Sequence, residues 1–214
     1  MGGLWASLRR KSGKPDSKAG DFLVVGLGNP GSEYAQTRHN VGFMILDALA
    51  DAEEGRFGPI GQGEIWNWQT RGRSGILAKP QTYVNNSGIF VKFLLGRFKV
   101  ETDNILIVHD DLTLEVGQYK FRCGGGSLGH NGLLSIEEKI GTPDFFRLRV
   151  GIGQPEQGAS RVDWVLSPFS EDQMQIMDDV FGKCSTAVAD FVTKGGVAAM
   201  NVHNKRTRER GKLD

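Results

Sequence analysis

Histidines, aspartates and several asparagines stand in four short polar segments at the ends of apolar runs, and they are the residue types that hydrolysis by an activated water requires. The segments are Gly26-Leu27-Gly28-Asn29-Pro30-Gly31 leading to Thr37-Arg38-His39-Asn40-Val41-Gly42; Lys79 to Gly88; His109-Asp110-Asp111-Leu112; and Gly124 to Gly132, which contains Ser127-Leu128-Gly129-His130-Asn131. An imidazole base needs a carboxylate to orient it and amide dipoles to receive developing negative charge. His39 lies in a polar loop just before a helical pattern, where a side chain can meet a substrate, and Asp110 ends an apolar strand, where a carboxylate is held in place. If Asp110 accepts a hydrogen bond from His39 Nδ1, Nε2 is left to take a proton from water. No Ser sits in a Gly-x-Ser-x-Gly elbow and neither Cys123 nor Cys184 has an evident activating base, so the pattern supplies the base without the nucleophile.

Other residues read two ways. His130-Asn131 after three glycines suits close approach to a phosphate or sugar, and suits equally a turn that caps the helix beginning near Leu133. Lys120 and Arg122 share one strand face, as do Arg147 and Arg149, so four cations could converge on a phosphate or disperse into surface ion pairs. The histidines are not at i, i+4 and no cysteine pair lies near one, which argues against a metal site. Gly26-x-Gly28-x-x-Gly31 matches the dinucleotide fingerprint, but Pro30 interrupts it and the helical period starts about ten residues later. The acidic residues at the expected distance, Asp47 and Asp51, fall inside a helix pattern, so the segment reads as a turn that fixes Asn29 beside the sheet.

Strands and helices must position these groups. Phe22 to Gly26 and Ile105 to Val108 read as buried strands. Ile65 to Thr70 and Ile76 to Ala78 read as strands flanking a glycine-rich turn, Gly72 to Gly75. Helical spacing appears from Val41, over Ser87 to Phe98 and over Leu133 to Ile140, while Gly117 to Cys123 and Phe146 to Ile152 read as further strands. A long helix runs from Ser170, as N-cap with Gln173 at the capping-box position, to about Lys194, closed by Gly195. This alternation predicts a single α/β domain: a mixed, mainly parallel twisted sheet with helices on both faces, its site at the carboxyl ends of the strands.

Composition narrows the class. The 214 residues fit one ordinary domain, and apolar runs fall well short of the roughly 18 residues that span a bilayer. Two cysteines without metal-ligand spacing fit a reducing, cytoplasmic setting. Residues 1–20, read as a flexible basic extension, carry net charge +4; a basic end at 201–214 follows a domain at 21–200. The remaining body, 21–202, is acidic at −6, so contact with a polyanion must come from a local basic cluster and the basic ends.

The runs Phe22 to Phe43, Lys79 to Gly88, His109 to Leu114, Gly124 to Leu133 and Phe146 to Gly153 together resemble bacterial-type peptidyl-tRNA hydrolase, over about four fifths of the chain. The resemblance implies a monomeric α/β enzyme without metal or other cofactor and with no obligate protein partner. It would cleave the ester between a peptide and the 3′-terminal ribose of tRNA. It casts His39 as general base, Asp110 as its supporting carboxylate and Asn29 as a reader of the peptide backbone. Asn85 and Asn131 would bind substrate, Asn85 also polarising the ester carbonyl; His130 belongs to the same substrate-binding set. Tyr34 and Tyr83 would line the groove, and Arg122 and Arg149 would hold the tRNA 5′-phosphate. Tyr83 stands where Phe is usual, Val84 where Met is usual, and Ser127-Leu128 where His-Gly is usual. The alternative of another class is a catalytically silent RNA- or protein-binding relative on the same fold.

Overall fold

The computed structural model describes residues 22–210, and the side chains up to Lys205. The basic extension read at 1–20 lies outside the described residues, as do the last four residues of the basic end. Seven strands and six α-helices follow in the order β1 (Phe22–Gly26), α1 (Val41–Ala52), β2 (Gly58–Ile60), β3 (Gly63–Thr70), β4 (Arg73–Pro80), α2 (Ser87–Phe98), β5 (Ile105–Asp111), β6 (Tyr119–Cys123), α3 (Asn131–Ile140), β7 (Phe146–Gly151), α4 (Arg161–Val165), α5 (Glu171–Lys194) and α6 (Gly196–Arg210). They form one mixed sheet of order β2-β3-β4-β1-β5-β7-β6. The central strands β4, β1, β5 and β7 are parallel; β3 and β6 run against them.

Burial follows strand position. β1 and β5, flanked on both sides, are buried along their whole length, whereas β3 alternates because one of its faces is partly open. Leu23, Val25, Ile105 and Ile107 point into a core closed by α2 and α3. Val24, Leu106 and Val108 point into the opposite core, closed by α1 and α5. Helices therefore cover both faces, with the antiparallel strands β3 and β6 flanking the parallel centre.

Two glycines settle the fingerprint segment. A Cβ on Gly26 would lie 2.4 Å from the Gly42 carbonyl oxygen, and one on Gly42 would lie 2.4 Å from that of Val108. These glycines let the first turn of α1 press directly onto β1 and β5, so Gly26 serves helix packing and α1 opens at Val41, ten residues beyond the glycine turn.

Two local readings change, and one short helix went unread. The hairpin between β3 and β4 turns on Arg71-Gly72 alone, both at positive φ, and β4 already begins at Arg73; the turn is shorter than Gly72 to Gly75 because two left-handed residues suffice for a tight hairpin. α4 is a five-residue helix capped by Ser160, too short to show a period. α6 carries the body past residue 200: His203 is buried, and the Asn204 side chain accepts from the Phe121 N–H at 2.9 Å and donates to the Phe121 carbonyl at 3.0 Å. That amide occupies backbone groups of the edge strand β6, which would otherwise invite pairing. The long helix, by contrast, is as read, with the full Ser170–Gln173 capping box and Gly195 at its end.

Candidate active site

The parallel strands deliver their carboxyl ends to one edge of the sheet. The helices that follow β1 and β4 cover opposite faces there, which opens a crevice outside β1 and β5. The loop after β1 brings Asn29, Tyr34 and His39; the loop after β4 brings Tyr83, Val84 and Asn85; β5 ends in His109-Asp110-Asp111. All of these line one cleft of about 540 Å³, whose other side is built from residues 127–130 of the glycine loop, Asn131, Arg149 and α4.

Asparagine amides tie the loops together. Asn40 Nδ2 donates to the Asn29 carbonyl and Asn40 Oδ1 accepts from the Asn29 N–H, each at 2.9 Å. Asn29 Oδ1 accepts from the Val84 N–H at 2.8 Å. The first bond pair fixes the Asn29 backbone against the side chain of the residue that follows His39, and the second joins the two loops. Only the Nδ2 end of the Asn29 amide remains for a substrate.

His39 is 9 % exposed, and its Nδ1 lies 2.8 Å from Asp110 Oδ1 across 71 positions of sequence. The carboxylate accepts, so Nδ1 carries the proton and Nε2 opens on the cleft without a protein partner among the described residues. Burial opposes protonation of His39, but the charge and the hydrogen bond of Asp110 outweigh it and raise the imidazole above its ordinary value. Burial likewise opposes ionisation of Asp110, yet the imidazoles of His39 and His130 hold it well below the usual carboxylate range.

The second imidazole is the unexpected part. His130 is the N-cap of α3, its Nδ1 accepting from the Gly132 and Leu133 N–H groups at 3.1 and 3.4 Å, which places its proton on Nε2, donated to Asp110 Oδ1 at 3.0 Å. The cap reading of His130 is thereby met, and both of its ring nitrogens are engaged by protein groups. Beneath it lies His109, whose Nδ1 donates to the Asp110 carbonyl at 2.7 Å and whose ring packs edge-on at 5.0 Å from that of His130. Burial first, then the neighbouring His130, push His109 down to about 3, so it is a neutral packing group. Nothing in the sequence marks it, since a sealed histidine and a working one share one letter.

Arg38 was also missed, though it adjoins His39. Its guanidinium stacks 3.8 Å from the Trp164 ring, donates to the Ser167 carbonyl at 3.3 Å, and reaches Gln173 Oε1 at 2.8 Å. It thereby clamps α4 and the start of α5 to the loop that carries the histidine.

The four strand cations do share one sheet face, through the cross-strand pairs Lys120 with Arg149 and Arg122 with Arg147, but their duties differ. Arg147 is 2 % exposed; it binds Glu137 at 2.9 Å and the carbonyls of Gly125 and Gly126, which shapes the glycine loop. Arg149 Nε donates to Asp111 Oδ2 at 2.6 Å, and Nη2 to Thr113 Oγ1 at 2.8 Å. Arg122 is exposed on the cleft without an ion pair among the described residues. The sequence shows which face a strand residue shares; it does not show that Glu137 waits there.

Asn85, Asn131 and Tyr83 are exposed at the cleft, and Tyr83 meets Tyr34 edge-on with ring centroids 6.4 Å apart. Ligand atoms of His39, Asp110 and His130 lie within 4.8 Å of one another, so a divalent ion could gather them. It would have to displace the two N–H protons that hold both imidazoles on one carboxylate oxygen, and it would pull His39 away from the cleft-facing Nε2 geometry.

An imidazole fixed by an ionised carboxylate, with no hydroxyl or thiol hydrogen-bonded to its free nitrogen among the described residues, is the equipment of a hydrolase that acts through water. The model of the peptidyl-tRNA hydrolase family matches residues 23–211, and the chain belongs to this family. It is 40 % identical over 191 residues to the peptidyl-tRNA hydrolase of Maridesulfovibrio salexigens, covering 86 % of this chain and 87 % of that protein. It is 42 % identical over 185 residues to that of Cytophaga hutchinsonii, covering 86 % and 98 %. Its structure is similar to the crystal structure of peptidyl-tRNA hydrolase from Acinetobacter baumannii, with TM-score 0.79, 36 % identity, and 86 % and 94 % of the two chains covered.

Proposed function

We propose that this chain hydrolyses the ester that joins a peptide to the 3′-terminal ribose of tRNA, with His39 as general base. The observation that carries the reading is the His39–Asp110 hydrogen bond, which leaves Nε2 facing a cleft that also holds free amide donors. His39 Nε2 takes a proton from water as the oxygen attacks the ester carbonyl carbon. The developing oxyanion is met by the amide of Asn85, which has no protein partner among the described residues. Collapse breaks the bond to the ribose 3′-oxygen, which receives the proton back from His39, and peptide acid and tRNA leave. Proton transfer of this kind is worth roughly 10² to 10⁴ in rate.

The remaining residues take supporting parts in the same reading. Asn29 offers Nδ2 to the peptide backbone and Asn131 an amide to the substrate, while Tyr34 and Tyr83 flank the groove. His130 holds Asp110 in place rather than touching substrate. Arg122, helped by Arg149, receives a tRNA phosphate. One chain supplies the whole cleft, which supports action as a monomer, and no helix among the described residues is long and apolar enough to cross a membrane.

The test is hydrolysis of N-acetyl-aminoacyl-tRNA against free aminoacyl-tRNA by the wild-type protein and by His39→Ala. The blocked ester should be cleaved preferentially, and His39→Ala should lose about 10²- to 10⁴-fold in turnover while retaining affinity for tRNA. Full turnover by His39→Ala would remove the histidine from the role.

A further inference from the structure

Four residues other than glycine sit at positive φ among the described residues, and three are polar and close ordinary turns: Glu54 just past the end of α1, Arg71 in the β3–β4 hairpin and Lys99 at the C-cap of α2. The fourth is Leu128, at φ 53°, inside a loop whose neighbours Gly124, Gly125 and Gly129 carry positive φ without strain. A leucine there is doubly unfavourable, since its Cβ crowds the backbone and its side chain, 68 % exposed, remains in water. Strain of this kind points to use at the place where it occurs.

That place is the cleft. Leu128 lines it from the glycine loop, and Val162 and Leu166, 63 % and 36 % exposed, line it from α4 and its end, the segment that Arg38 clamps beside His39. The cleft thus bears exposed aliphatic side chains on two separate elements, together with the His39–Asp110 pair and the cation Arg122. In an ester of a peptide with tRNA, the phosphates have Arg122 to meet them and the flat faces of the terminal bases have the rings of Tyr34 and Tyr83 in the same cleft, while the peptide carries the aliphatic groups that Leu128, Val162 and Leu166 can take out of water.

We infer that Leu128, Val162 and Leu166 form an apolar clamp for the side chains of the peptide nearest the ester, so that this protein favours peptides ending in bulky apolar residues over those ending in glycine. The inference rests on the hydrolase reading above. The test charges one tRNA body with N-acetyl-dileucine or N-acetyl-diglycine and compares kcat/KM for the two esters. For the wild-type protein the dileucyl ester should be the better substrate by about 3- to 10-fold, the scale of a partly buried aliphatic contact. Leu128→Gly relieves the strained backbone, so its melting temperature should not fall, and its preference should collapse toward parity; Val162→Ser, at an exposed position of α4, should reduce the preference by a separate route. A wild-type ratio near one, or a ratio that neither substitution moves, would overturn the clamp while leaving hydrolysis established. A wild-type protein that cleaves neither ester would overturn the hydrolase reading and the clamp with it.

Discussion

Two histidine–aspartate pairs, 2.8 and 3.2 Å long, occupy different parts of this fold, and their surroundings give them different work. In the cleft, His39 spends Nδ1 on Asp110 and keeps Nε2 open. Behind β6, His203 is 1 % exposed, with Nε2 3.2 Å from Asp190 Oδ2 and Nδ1 3.1 Å from the Tyr119 hydroxyl, while Lys194 also holds Asp190 at 2.8 Å. The second arrangement joins α5, α6 and β6 and has both ring nitrogens engaged. A carboxylate beside an imidazole is therefore no sign of a base by itself; what distinguishes the two is one nitrogen left unspent on a solvent-accessible wall. His130 makes the same point inside the site, for it shares Asp110 with His39 yet has no nitrogen to offer.

Paired alanine substitutions break the comparison most directly. His39→Ala should lose about 10²- to 10⁴-fold in turnover, with the smaller fall in melting temperature of the two, since Asp110 keeps His130 Nε2 as a partner. His203→Ala should leave kcat per folded molecule near wild type and destabilise by about 2–4 kcal/mol, because the Tyr119 hydroxyl and one side of Asp190 lose a buried partner. In a domain of this size that is roughly a 5–15 °C fall in melting temperature, read by thermal denaturation. Exchange of the two phenotypes, or a large activity loss in folded His203→Ala, would erase the distinction.

The distinction could not have been read from the chain alone. β1, β5 and α1 were legible because each carries an uninterrupted apolar run or period, α5 because its period comes with its caps in place, and His39 and Asp110 because loop and strand-end positions single them out. β2, with three residues and Pro59 among them, gives no alternation to count. α6 mixes Ala, Val and Met with Asn, His and Lys so evenly that its buried side stays hidden. The duties of His130, Arg147 and Arg38 depend on partners brought together by the fold, Asp110, Glu137 and Trp164 respectively, and no spacing in the sequence announces them. Arg122 and Arg147, on consecutive strands and directly opposed in the sheet, look equally cationic on paper; one is open and the other is buried against Glu137 and the glycine loop.

A pH profile sharpens the comparison at the level of the shared carboxylate. The general base must be neutral, so kcat/KM should rise with pH as His39 loses its proton, and because Asp110 raises that imidazole the midpoint should lie above the ordinary histidine value of 6.5. Asp110→Asn keeps an acceptor oxygen for Nδ1 but removes the charge that favours the imidazolium, so the acid limb should move to lower pH even though the maximal rate falls. His109, already neutral throughout this range, should contribute no inflection. A midpoint that stays in place in Asp110→Asn would detach the titrating group from the pair.

The smallest expected effect concerns the open and the engaged cations. Arg122→Gln removes a charge that has no ion-pair partner among the described residues, so it should weaken tRNA binding and flatten the dependence of log K on log salt by about 0.7–1, the contribution of one phosphate contact, without lowering stability. Arg149→Glu should weaken binding further, since it places a carboxylate against Asp111 and removes the cation that holds Asp111 toward Thr113. The informative quantity is the slope rather than the affinity at one salt concentration, because a distorted cleft weakens binding at every ionic strength while a lost phosphate contact changes how steeply binding falls. An unchanged slope in Arg122→Gln would move the phosphate site off this face of the sheet.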